Sequence, residues 1–126
     1  MNQLMQQDRR LYPRYSVDIA LDVDIDGNAE ETAFSACACN LSQNGISIIC
    51  SDPEKFFVVE GLSYSDECVL HFALTKEEEV ESYRARLSVK RRISSTKYEL
   101  GFHFFNMTSG QEKKLEERLY FLRVSR

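Results

Sequence analysis

Apolar and polar residues alternate along most of this chain. Val17, Ile19, Leu21, Val23 and Ile25 are separated by Asp18, Ala20, Asp22 and Asp24, the period of a strand with one wet face. Asp26-Gly27-Asn28 supplies turn chemistry, and Thr32–Cys39 reads as the returning strand. Asn40–Gly45 connects it to a third strand, Ile46–Cys50, which Asp52-Pro53 stops. Residues 51–66 carry no clear period and read as a loop with short structure around Phe56–Val59. Alternation returns at Cys68, Leu70, Phe72 and Leu74, then a charged turn follows at Lys76–Glu79. Beyond it, Tyr83, Ala85, Leu87 and Val89 share one face and Ser82, Arg84, Arg86 and Ser88 the other. Tyr98, Leu100, Phe102 and Phe104 make a sixth strand, with Tyr98, Phe102 and Phe104 as a core stripe.

The period then changes. Ser109-Gly110-Gln111-Glu112 fits a capping box in which the Ser109 hydroxyl and Glu112 carboxylate satisfy free N–H groups at a helix start. Leu115, Leu119 and Leu122 follow at helical spacing and are expected to cover the strands. Tyr120, Phe121 and Val124 widen the apolar surface beyond one packing stripe, which predicts a homodimer or partner contact through this helix. Six strands and one helix, without βαβ alternation, predict a mainly β fold, an antiparallel sheet or barrel with a helix packed on it. Barrel and sandwich both remain open on pattern alone.

Composition narrows the function. A chain of 126 residues, 43% hydrophobic and 29% charged, makes one globular domain with a single core. No apolar run reaches membrane-spanning length, and Met1–Gln7 is polar, without the hydrophobic core of a signal peptide. A cytoplasmic protein without membrane insertion is the expectation. Net charge −4 disfavours nonspecific DNA or RNA binding, which needs a broad positive field. Cys37, Cys39, Cys50 and Cys68 sit in apolar strand-like runs without metal-ligand spacing, and read as buried, reduced thiols. His71 and His103 fall opposite the apolar faces as surface or rim residues, joined by no motif to a nucleophile. No catalytic machinery is legible, so the chain is not expected to be an enzyme, and no metal or cofactor is called for.

Positive charge is gathered in two places. Arg84, Arg86, Lys90, Arg91, Arg92 and Lys97 read as a solvated strand face and turn. The other place is Arg9-Arg10-Leu11-Tyr12-Pro13-Arg14, followed one strand pair later by Asn40-Leu41-Ser42-Gln43-Asn44-Gly45. Guanidinium groups bind phosphates bidentately and stack on bases, and an Asn and Ser on a tight turn can read a purine edge. Arg10-x-x-x-Arg14 and Asn40-x-Ser42-x-x-Gly45 resemble the two signature elements of the PilZ domain, a bacterial receptor for cyclic di-GMP. Tyr98-Glu99-Leu100-Gly101-Phe102-His103-Phe104 resembles that family's last barrel strand.

The resemblance implies a six-stranded antiparallel β-barrel of the split-barrel type with a C-terminal α-helix. It implies one PilZ domain over residues 1–126, with an arginine strap at 1–15, a barrel at 16–105 and a helix at 109–125. By the same likeness, Arg10 and Arg14 would contact phosphate and guanine, and Asn40 and Ser42 would hydrogen-bond a guanine. Gly45 would supply a backbone conformation closed to other residues. Asn40 in place of an aspartate offers one acceptor and one donor rather than a carboxylate, which would weaken binding. Arg9 matches the extra arginine of members that take an intercalated ligand pair, implying two cyclic di-GMP molecules per chain. Pro13 disfavours helix at Tyr12, so the segment would be a strap that folds over the ligand. Tyr12 and Tyr15 would stack on a base or pack against the barrel end. The output would be a protein partner in motility, pilus, chemosensory or exopolysaccharide machinery. The rival readings are a PilZ-type adaptor that does not bind nucleotide and a β-barrel that binds single-stranded nucleic acid.

Overall fold

A computed structural model describes residues 12–25 and 33–125. Its six strands are β1 (Tyr15–Ile25), β2 (Phe34–Leu41), β3 (Gly45–Cys50), β4 (Glu67–Phe72), β5 (Glu81–Ser94) and β6 (Lys97–Phe104). All pair antiparallel and close in the order β1-β2-β3-β6-β5-β4, so the alternation encodes a barrel and not a sandwich. Closure leaves one interior, filled by Leu21, Val23, Phe34, Ile48, Leu70, Tyr83, Leu100 and Phe102. Tyr83 stacks on Phe72 with centroids 4.4 Å apart.

Two elements close the barrel. Residues 51–66 hold more regular structure than their sequence suggests: a single 3₁₀ turn (Pro53–Lys55) runs into helix α1 (Phe56–Gly61). Phe56 and Val59 are buried, and Phe56 meets Tyr98 edge to face at 4.9 Å. The Tyr98 hydroxyl bonds Glu60, and Lys90 Nζ donates to the carbonyls of Glu60 (3.0 Å) and Leu62 (2.5 Å). A cation on those last carbonyls satisfies groups the helix itself leaves open.

Helix α2 (Ser109–Val124) buries Leu115 and Leu119, with Leu122 partly covered. Its cap lies one residue earlier than Ser109. The Thr108 hydroxyl accepts from Gln111 N–H (3.0 Å), and Gln111 Oε1 accepts from Thr108 N–H (3.2 Å). Thr108 has extended backbone, as an N-cap requires, and Gln111 completes the box as well as a glutamate would. Gln111 also donates to the Ser82 carbonyl (2.8 Å), which docks the helix start on β5. Tyr120, Phe121 and Val124 remain exposed, with Arg118 over Phe121 and Arg123 over Tyr120.

The cysteines divide. Cys50 and Cys68 are buried, but Cys37 is exposed and Cys39 half-buried. Cys37 and Cys39 lie on the outer side of β2, where apolar neighbours in sequence do not guarantee burial. The Cys37 thiol sits 3.0 Å from Asp18 Oδ1. That hydrogen bond, then burial, pushes its pKa up and keeps it a thiol.

Candidate functional site

Two β-bulges shape the outer face of the barrel. On β2, Phe34 and Ala38 point inward, so strict alternation would send Asn40 into the core. The register instead passes from Ala38↔Ile48 to Asn40↔Ser47, leaving Cys39 as the extra residue. Leu41 takes the interior position at full burial, and Asn40 emerges half-buried on the outer face. On β5 the register passes from Leu87↔Phe102 to Val89↔Gly101, with Ser88 as the extra residue. Val89 is therefore turned outward, 42% exposed, and does not continue the inner face of Tyr83, Ala85 and Leu87. Lys90 and Arg92 take up the side that meets α1, where Arg92 lies over the rings of Phe56 and Tyr98.

The bulges bring outward positions of four strands into one row, Asn40, Ser47, Gly101 and Val89. A groove of about 850 Å³ opens over this row. Arg14, Asn40, Ser42 and Gly45 all line it, so four residues singled out in sequence share one cavity. Arg9 and Arg10 lie outside the described residues. Tyr12 lines the groove as well, whereas Tyr15 is buried in the barrel end.

The connection between β2 and β3 is tightly bonded. Ser42 N–H donates to the Gly45 carbonyl (2.9 Å), and Gly45 N–H donates to Ser42 Oγ (3.2 Å). Ser42 Oγ donates to Asn44 Oδ1 (2.8 Å), so the hydroxyl shapes the turn. Gly45 has no left-handed φ, contrary to the conformational role expected for it. Its need is space: a Cβ there would stand 2.4 Å from the Phe102 carbonyl oxygen on β6. The chain crosses so close to β6 that only hydrogen fits.

Charge in the groove is uneven. Arg14 has no ion-pair partner among the described residues, which leaves a guanidinium open to an anion. Arg91 pairs with Glu99 (Nε to Oε1, 2.5 Å). Burial, then the charge of Glu99, pushes the Cys39 pKa up. Asn40 makes one side-chain contact among the described residues, a long N–H···S approach to Cys39 (3.8 Å). Its amide oxygen accepts no hydrogen bond among the described residues. His103 lines both this groove and a smaller cavity of about 410 Å³ beside Arg86 and Phe105.

Sequence reasoning passed over Ser47, Val89, Arg91, Glu99 and Gly101 as groove residues. The register that joins them depends on the bulges, and no local signal marks it. Of the other basic residues of β5, Arg84 and Arg86 form the exposed outer face expected of them, whereas Lys90 and Arg92 are engaged with α1 and Tyr98. Arg84 and Arg86 lie 3.1 and 3.7 Å from Glu67, and Arg92 lies 3.7 Å from Glu60. His71 departs from its reading as an unlinked surface residue. Its Nδ1 meets Ser82 Oγ (2.8 Å) and its Nε2 meets Asp24 Oδ2 (2.6 Å). This bonded chain ties β5, β4 and β1 together and lines neither cavity. No cluster of potential metal ligands occurs among the described residues, and no helix there is long and apolar enough to cross a membrane.

The fold has solved counterparts. The PilZ domain of YcgR from Escherichia coli, determined with cyclic di-GMP, superposes with a TM-score of 0.67 at 18% identity, covering 93% of each chain. The cyclic di-GMP complex of MrkH from K. pneumonia gives 0.68 at 17% identity, over 93% of this chain and 53% of MrkH. The Bacillus subtilis inhibitor of motility, MotI/DgrA, gives 0.63 at 19%, over 94% and 53%. The chain thus spans about half the length of MotI/DgrA and MrkH, and at these identities the likeness is one of fold. No curated protein is matched by sequence. The family model of the PilZ domain matches residues 8–121, the whole barrel and most of its C-terminal helix, and by that match the chain belongs to the PilZ domain family.

Proposed function

We propose that this domain is a cyclic di-GMP receptor whose ligand occupies the groove between Arg14 and the Asn40–Gly45 turn. The observation that carries the reading is convergence: Arg14, Asn40, Ser42 and Gly45, from two distant segments, line one cavity of about 850 Å³. That size suits a ligand of this class. Arg14 meets a phosphate or guanine, and the Asn40 amide oxygen accepts a guanine N–H. Arg10 joins Arg14 on the phosphates, and Arg9 supports a second, intercalated ligand.

Signalling follows from differential binding. A ligand shifts an equilibrium only by preferring one state, and ordering of the 9–14 strap over the groove supplies that preference. The output is altered binding of a protein partner. The exposed Tyr120, Phe121 and Val124 on α2 form the surface offered to that partner or to a second copy. The function is recognition and not catalysis.

Calorimetric titration of cyclic di-GMP into the unmodified protein and an Arg10→Ala/Arg14→Ala variant tests the reading. Micromolar or tighter binding, lost in the double variant, is expected. Two ligands per chain are expected, falling in Arg9→Ala; one ligand per unmodified chain would sink the Arg9 assignment. A folded protein that binds no cyclic di-GMP leaves the adaptor reading in its place.

A further inference from the structure

We infer that Glu99 is the guanine-reading carboxylate of the groove, with Arg91 positioning it and offsetting its charge. The inference rests on the receptor reading and adds a specificity-determining pair to it. Glu99 is the only acidic residue lining the groove among the described residues. A carboxylate is an odd choice for a cavity that must accept phosphates, unless it reads a donor on the ligand.

Guanine offers such donors. Its Watson–Crick edge presents N1–H and a 2-amino N–H side by side, and a carboxylate can accept both. Asn40 cannot, since an amide has one acceptor and one donor. The acceptor missing at position 40 is thus available on β6. Glu99 Oε1 takes Arg91 Nε at 2.5 Å, while Oε2 accepts no hydrogen bond among the described residues. Its side chain is only 20% exposed, so it is already held in place before any ligand arrives.

The register puts Glu99 within reach. Asn40 pairs Ser47, and Ser47 pairs Gly101, two residues from Glu99 on the same outward face of β6. Asn40 and Glu99 thus stand two strand spacings apart across the sheet, roughly 10 Å, and two residues apart along it, roughly 7 Å, so the two side chains meet different parts of one extended ligand. Gly101 sets no side chain between the two positions, and a Cβ there would stand 3.1 Å from Val89 Cβ. Arg91, with its side chain 67% exposed, keeps the pair near neutral, so Glu99 does not repel the phosphates that Arg14 attracts.

The test compares cyclic di-GMP with cyclic di-IMP, which lacks only the 2-amino groups, on the unmodified protein and on Glu99→Gln. Dissociation constants come from calorimetry, with melting curves to confirm that both proteins are folded. The unmodified protein should prefer cyclic di-GMP by about tenfold, the worth of one lost bond in a bidentate base contact. In Glu99→Gln the preference should fall to within about twofold, mainly through weaker binding of cyclic di-GMP. Arg10→Ala/Arg14→Ala should weaken both ligands alike. A preference unchanged in Glu99→Gln, or absent from the unmodified protein, overturns the role of Glu99 while leaving the receptor reading intact. Failure of the unmodified protein to bind either ligand overturns both.

Discussion

Gly45→Ala is the sharpest test of how the groove is built. The Cβ would stand 2.4 Å from the Phe102 carbonyl oxygen, and ordinary contact begins at 3.4 Å, so β3 and β6 must part by about 1 Å. Backbone faces the new methyl, so no side chain can swing aside. Parting the strands stretches the Phe104 N–H to Asn44 bond (3.0 Å) and the adjoining β3–β6 ladder bonding at Ile46↔Phe102. Losing two such bonds at about 1 kcal/mol each gives a cost of about 2 kcal/mol, within the usual range for overpacking. For a domain of this size that lowers the melting temperature by roughly 8 °C. Thermal denaturation followed by circular dichroism reads the change. Gly61→Ala is the control, because nothing lies within 4 Å of its Cβ and it ends a helix. It should leave stability unchanged or raise it by about 0.5 kcal/mol. A Gly45→Ala protein melting within about 2 °C of the unmodified chain would refute the close-approach argument.

Other outcomes follow from the same contacts. Lys90→Met strips the cation from the end of α1 and should cost about 1–2 kcal/mol, seen in urea unfolding and as faster amide exchange in residues 56–62. Thr108→Ala removes the α2 cap and should cost about 1 kcal/mol in the same assay, whereas Ser109→Ala should change little. Burial first, then the charges of Glu81 and Glu78, pushes the Tyr83 pKa from 10.0 up to about 12. The unfolded chain then releases that proton at lower pH than the folded one, so stability holds below pH 10 and falls as pH rises through 10 to 12. Tyr83→Phe should flatten this alkaline loss, and tyrosinate absorbance should show Tyr83 ionising late, together with Tyr98, whose bond to Glu60 also raises its pKa.

The sequence by itself determined the strands and their succession along the chain, not their order around the barrel. Period-two alternation with turn residues between the runs specified six strands and a helix, because side-chain direction within a strand is local geometry. It also marked Arg14, Asn40, Ser42 and Gly45, whose spacing is legible in one dimension. Its cap at Ser109 missed by one residue because Thr108 and Gln111 satisfy the same chemistry. What only the tertiary structure decided was which face each residue occupies beyond a bulge. Val89 read as sharing the face of Tyr83, Ala85 and Leu87 and lies in the groove instead, while Asn40 reaches the groove only because Cys39 is the extra residue. A bulge arises where one strand must match its neighbour across the sheet, and that neighbour is distant in sequence. The same holds for Gly45, whose requirement is the carbonyl of Phe102, and for Glu99 and Arg91, which join the groove through pairings that local pattern does not contain.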